Sequence, residues 1–184
     1  MTDSTRQMEV LICGFDAAKH IESILEELGS ELVMRRVTAK DELISELAKG
    51  RQPICVVEHL VPTIDAVKVW NQLHKKTGLA QGLFHIAGLL SDGLISKRQE
   101  TLPAPVTAYD LLPELVINSP GTKFIITSHT RGSGLSPEQR ASYKERQEVL
   151  KVMGFINSTA NYHYLAKLFS RIYYDRTWKP RSAA

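Results

Sequence analysis

Residues 56–66 read V-V-E-H-L-V-P-T-I-D-A, an apolar run closed by Glu58, with His59 next, Pro62 four residues after the acid and Asp65 seven after it. A carboxylate at the end of a buried strand can serve as a nucleophile or as a metal ligand. Similar side chains follow other apolar runs. Asp16 comes just after Met8–Cys13, and the run F-I-I-T at 124–127 ends on Thr127, followed by Ser128 and His129. Asp16, Glu58, His59 and His129 have the donor types of a transition-metal site. They lack tight ligand spacing of the H-E-x-x-H kind, so no metal is expected, and His59, Ser128 and His129 stand only as a possible ligand rim. No Ser-His-Asp arrangement is visible. Gly132–Gly134 reads G-S-G without the spacing or the Lys-Ser/Thr ending of a nucleotide loop, so no cofactor is expected.

Those residues need strands and helices to bring them together. Met8–Cys13, Glu31–Val37, Pro53–Val57 and Phe124–Thr127 read as buried strands. Phe155-Ile156 reads as a last short one. Between them, Ala17–Leu28 carries Ile21, Ile24, Leu25 and Leu28 at helical spacing. Thr38 with Asp41 predicts a capping box, with Leu43, Ile44 and Leu47 facing inward. Ser136-Pro137 opens a helix expected to run to about Met153, and a final helix is expected from about Ala160 to Tyr174. Strands alternating with helices imply right-handed crossovers and a parallel sheet covered on both faces. The expected architecture is a flavodoxin-like, doubly wound sheet of five strands, whose ligands sit beyond the carboxyl ends of the strands.

The segment around Glu58, in that order of elements, resembles the phospho-acceptor segment of response-regulator receiver domains, the CheY-like family. There the third strand ends on Asp, with Pro and Asp-Gly at the offsets seen here. The resemblance covers most of the chain. It implies five chemical positions. The acceptor position holds Glu58, whose extra methylene moves the carboxylate by about 1.5 Å. A misplacement near 1 Å can cost on the order of 10²-fold in rate. The acidic pair that holds Mg²⁺ in the family is matched by Gly14 and Phe15, with Asp16 one step later or aligned to the second acid if the loop is shortened. Thr127 matches the hydroxyl residue ending the fourth strand. Ser158 stands at the position of the family's Lys, whose ammonium it cannot replace. Phe155 matches the switch aromatic. With metal acids, acceptor and Lys all altered, the resemblance implies a divergent pseudo-receiver that has lost phosphoryl transfer. Glu at an acceptor position can also imitate the phosphorylated charge.

One stretch departs from the simple repeat. About 60 residues separate Pro62 from Phe124, where a helix and two short loops need roughly 20 to 25. Either a helical insertion at about 62–105 precedes a third helix near Tyr109–Leu115, or Asp65–Lys75 is itself the third helix and the extra material follows. The expected organisation is one receiver-like domain over 7–177, with a tail at 178–184.

The 184 residues, 43% hydrophobic and 23% charged, suit a single soluble domain with a substantial core. A net charge of +3 permits an anionic partner without arguing for one. The final stretch mixes Arg171, Arg176, Lys179 and Arg181 with Tyr173, Tyr174 and Trp178, but nucleic-acid binding is not expected from so short a tail. No apolar stretch is long enough to span a bilayer. The polar N-terminus predicts no secretory signal, hence a cytoplasmic, reduced setting in which Cys13 and Cys55 are inert buried thiols. The functional expectation is a non-enzymatic adaptor in two-component-type signalling, acting by contact with a protein partner or with itself. Its alternative is a small-molecule or metal-binding sensor, or an enzyme, using the rim.

Overall fold

The computed structural model describes residues 8–14, 16–28, 32–50, 52–68, 105–128, 135–154 and 159–174. Strand β1 (Met8–Cys13), helix α1 (Asp16–Leu28), β2 (Leu32–Val37), α2 (Lys40–Leu47) and β3 (Ile54–Glu58) form the first half. A short pair, β4 (Leu60–Val61) and β5 (Val106–Thr107), follows. Then come α3 (Ala108–Asn118), β6 (Lys123–Thr127), α4 (Pro137–Lys144), β7 (Val149–Met153) and α5 (Thr159–Tyr174).

Five strands make one parallel sheet in the order β2-β1-β3-β6-β7. This is the expected flavodoxin-like α/β fold. The inner strands are apolar from Val10 to Cys13, Ile54 to Val57 and Phe124 to Ile126 because both of their faces are covered. Leu11, Cys13, Cys55, Val57, Phe124 and Ile126 face one layer, with Leu43 and Leu47 of α2, Leu112 and Leu115 of α3 and Tyr143 of α4. Val10, Ile12, Ile54, Val56 and Ile125 face the other, with Ile21 and Ile24 of α1 and Leu165 and Phe169 of α5.

Helix α3 leads directly into β6. The additional segment leaves after Val61 and returns at Val106. These residues pair antiparallel, Val61 with Val106 and Leu60 with Thr107. The backbone at 64–68 is helical, and 69–104 lie outside the described residues.

Two expectations are corrected. The helix opened by Ser136 ends at Lys144 rather than near Met153, and Val149–Met153 is strand β7; Phe155-Ile156, expected as the last strand, lies outside the described residues. The segment E-R-Q-E at 145–148 favours helix on propensity, but it is the turn that brings Val149 alongside Phe124 at the start of β7. The acid that caps α2 is Glu42 rather than Asp41. Its carboxylate accepts hydrogen bonds from the backbone N–H of Thr38 (2.9 Å) and Ala39 (3.3 Å) and from the Thr38 hydroxyl.

Candidate functional site

The carboxyl ends of β1, β3 and β6 lie side by side, so the residues that end them share one rim. Cys13 is level with Val57, and Glu58 is level with Thr127. Glu58 is 1% exposed, Thr127 1% and Ser128 7%, so all three are interior side chains. Glu58 and Thr127 end neighbouring strands, and Ser128 directly follows Thr127. Thr127 Oγ1 makes no hydrogen bond among the described residues.

Gly14 is the first residue beyond β1, with φ +147°, in the region that favours glycine. Its N–H donates to the Val37 carbonyl at 3.3 Å, which ties the loop to the end of β2. The Glu58 side chain lies directly over it. A Cβ on residue 14 would stand 2.3 Å from both Cδ and Oε1 of Glu58 and 2.5 Å from its Cγ. The bulk missing at Gly14 is thus supplied by Glu58. Asp16 opens α1; its side chain, like Phe15, lies outside what is described.

Beneath this pair sits Cys13. Burial pushes its thiol up, with the negative charges of Glu58 and then Glu42 adding to the shift. Burial does the same for Cys55, and Cys13 adds to it. Both cysteines are free and buried, as expected.

His59 turns away from Glu58, because successive residues of an extended chain point to opposite sides. Its N–H donates to the Thr127 carbonyl at 2.7 Å, and its own carbonyl accepts from Ala108 N–H at 2.7 Å. The residue thereby ties β3 to β6 and to the start of α3. Its Nδ1 lies 2.7 Å from Tyr143 Oη, and the two rings meet edge to face. Gln139 Oε1 accepts from Ser136 N–H at 2.9 Å, so the Gln139 amide nitrogen is the group that faces His59 Nε2, at 3.4 Å. An amide nitrogen only donates, which suits a neutral ring accepting at Nε2 and carrying its proton on Nδ1. Tyr143 also meets Tyr109 edge to face, and the Arg146 guanidinium covers the Tyr109 ring at 4.3 Å. Burial is the first cause that pushes the Tyr143 hydroxyl up.

Tyr143, Gln139 and Tyr109 were not singled out from the sequence. In a helix expected to reach Met153, Tyr143 is one apolar position among several; the shorter α4 makes it the helix's buried side chain. His129, Phe155 and Ser158 lie outside the described residues. The strand boundary does change the frame for the last two. β7 ends at Met153, so neither Phe155 nor Ser158 falls within it. The lysine β7 does contain, Lys151, is exposed and lies 5.1 Å from the Tyr164 ring, on the side of α5. Among the described residues no three of His, Cys, Asp and Glu converge as a metal cluster, and no helix is long and apolar enough to cross a membrane. A cleft of about 600 Å³ lies between β2 and α2 and is bridged by Arg35 and Glu46 at 3.0 Å.

No family model matches the chain, and no curated protein matches it.

Proposed function

We propose that this chain is a non-enzymatic signalling or regulatory adaptor, built on an atypical receiver-like domain without a phosphorylation site and acting by protein–protein contact. One observation supports it above the others: Glu58 lies packed over Gly14. In receiver chemistry the two β1-loop acids and the acceptor converge on a shared Mg²⁺, and phosphoryl transfer depends on that reach. Here the residue after β1 offers no carboxylate, and the acceptor side chain stands in the space such a carboxylate would need. The 1% exposure of Glu58 leaves it no face for an incoming phosphodonor. Partner contact would then fall to the exposed face of α5 and to the segment between β4 and β5. The rim-based sensor loses ground by the same geometry, since His59 Nδ1 is committed to Tyr143 and Glu58 to the space above Gly14.

Incubation with acetyl phosphate and Mg²⁺, followed by intact-mass measurement, tests this. The expected result is no phosphoryl adduct, and a partner affinity that is the same with and without the phosphodonor. A stoichiometric, hydroxylamine-labile adduct would overturn the reading.

A further inference from the structure

Doubly wound sheets of this strand order take their ligands beyond the carboxyl ends of the strands, in the crevice where the winding reverses. In the order β2-β1-β3-β6-β7 that crevice opens between β1 and β3. Gly14 ends one wall and Glu58 ends the other. We infer that Glu58 is the permanent occupant of this crevice, an internal side-chain ligand seated over Gly14 that excludes an external one.

Three features carry this. The contact is too close for any other side chain at 14, with Cδ and Oε1 of Glu58 both 2.3 Å from where its Cβ would be. Glu58 has no room to retreat, being 1% exposed, with Cys13 and Thr127 buried beside it. The backbone at Gly14 also takes a φ of +147°, which lets the loop approach closely. One wall lacks a side chain at Gly14, and the Glu58 side chain of the other stands in its place. The inference deepens the proposed function and rests on it for one consequence: a domain whose crevice is filled from within has no ligand-dependent state there, so its contacts with partners are constant.

The shape of the occupant gives the test. Glu58→Ala removes Cγ and the carboxylate, and those atoms together are the size and charge of an acetate ion. The purified full-length chain and its Glu58→Ala variant are heated in sodium acetate and in sodium chloride at equal ionic strength and pH. The variant is expected to melt at least about 5 °C below wild type in chloride. Acetate is expected to raise its midpoint by a few degrees along a saturating curve, because a ligand of the folded state alone stabilises it. Wild type, with the place already taken, is expected to respond to acetate no more than to chloride. An equal response of the two proteins, or no response of the variant, overturns the inference.

Should Glu58→Ala fail to fold, Glu58→Gln and Gly14→Ala decide the matter. Glu58→Gln keeps the volume and is expected to fold, with a midpoint well above that of Gly14→Ala. Equal midpoints of Gly14→Ala and wild type overturn the inference. Where Glu58→Ala does fold, the midpoint lost through Gly14→Ala is expected to shrink in that background, and an unchanged loss also counts against it. A phosphoryl adduct on wild type would sink the adaptor reading. Absence of acetate rescue would sink only the internal ligand.

Discussion

Cys13 sits next to Gly14 in the chain, and its thiol shares the interior with the Glu58 carboxylate. A thiol kept protonated is neither a nucleophile nor a metal ligand. Ellman's reagent is therefore expected to leave both cysteines untouched in the folded chain and to titrate both after denaturation. The pH dependence follows from the direction of the shifts. The folded pKa of each thiol lies above its ordinary value of 9.0, so the folded chain keeps protons that the unfolded chain releases above that pH. Their contribution to stability is complete below 9.0 and is lost as pH rises beyond it, which urea unfolding between neutral and strongly alkaline pH would reveal. At this scale the sequence was partly legible. An apolar run ending on an acid is enough to place Glu58 at a buried strand end. That its side chain would complete Gly14 depends on two loops meeting in space, and no local pattern encodes it.

Among the elements, α4 is more thinly attached than α3. It buries one side chain, Tyr143, whereas α3 buries Ala108, Leu111, Leu112 and Leu115. Its start is held by Leu135, which is 6% exposed, and by the reciprocal bonds of Ser136 and Gln139. Elements with few buried apolar contacts open at low free energy. Amides over 137–144 are expected to exchange hydrogen faster than those over 108–118. Tyr143→Phe removes the bond to His59 and is expected to cost about 1 kcal/mol in urea unfolding, with the added exchange confined mainly to α4. Unchanged protection there would count against His59 as the anchor. The same element explains a sequence error. β7 lies at the edge of the sheet, and its exposure runs half-buried, exposed, exposed, half-buried, buried. Lys151 interrupts it, so it lacks the unbroken apolar signal that announced β3 and β6. The helices α1 and α5 were legible for the opposite reason, since each packs a regular apolar stripe against the sheet.

At the scale of the whole molecule, the strands of the five-stranded sheet all lie outside the segment between Val61 and Val106. Every strand neighbour within the sheet is supplied by the remaining residues. Among the described residues, Pro62 is tied to the start of α2 by a hydrogen bond from Lys40 N–H to the Pro62 carbonyl at 2.9 Å. Replacing 62–105 with Asn-Gly would join β4 to β5 through a two-residue hairpin, which suits an antiparallel pair. The shortened chain is expected to keep a cooperative unfolding transition and its parallel-sheet circular dichroism signature. Loss of cooperativity would mean that the segment completes the core. The sequence located this excursion by its surplus length, but could not say on which side of the third helix it lay.

The narrow neck at Val61 and Val106 carries one more implication. Two points of a chain that stand shoulder to shoulder can be severed or bridged with little disturbance to what lies behind them. A reporter protein whose own ends are close together, spliced in at this neck, would ride above Glu58 and His59 and register events at that edge while the scaffold folded as before.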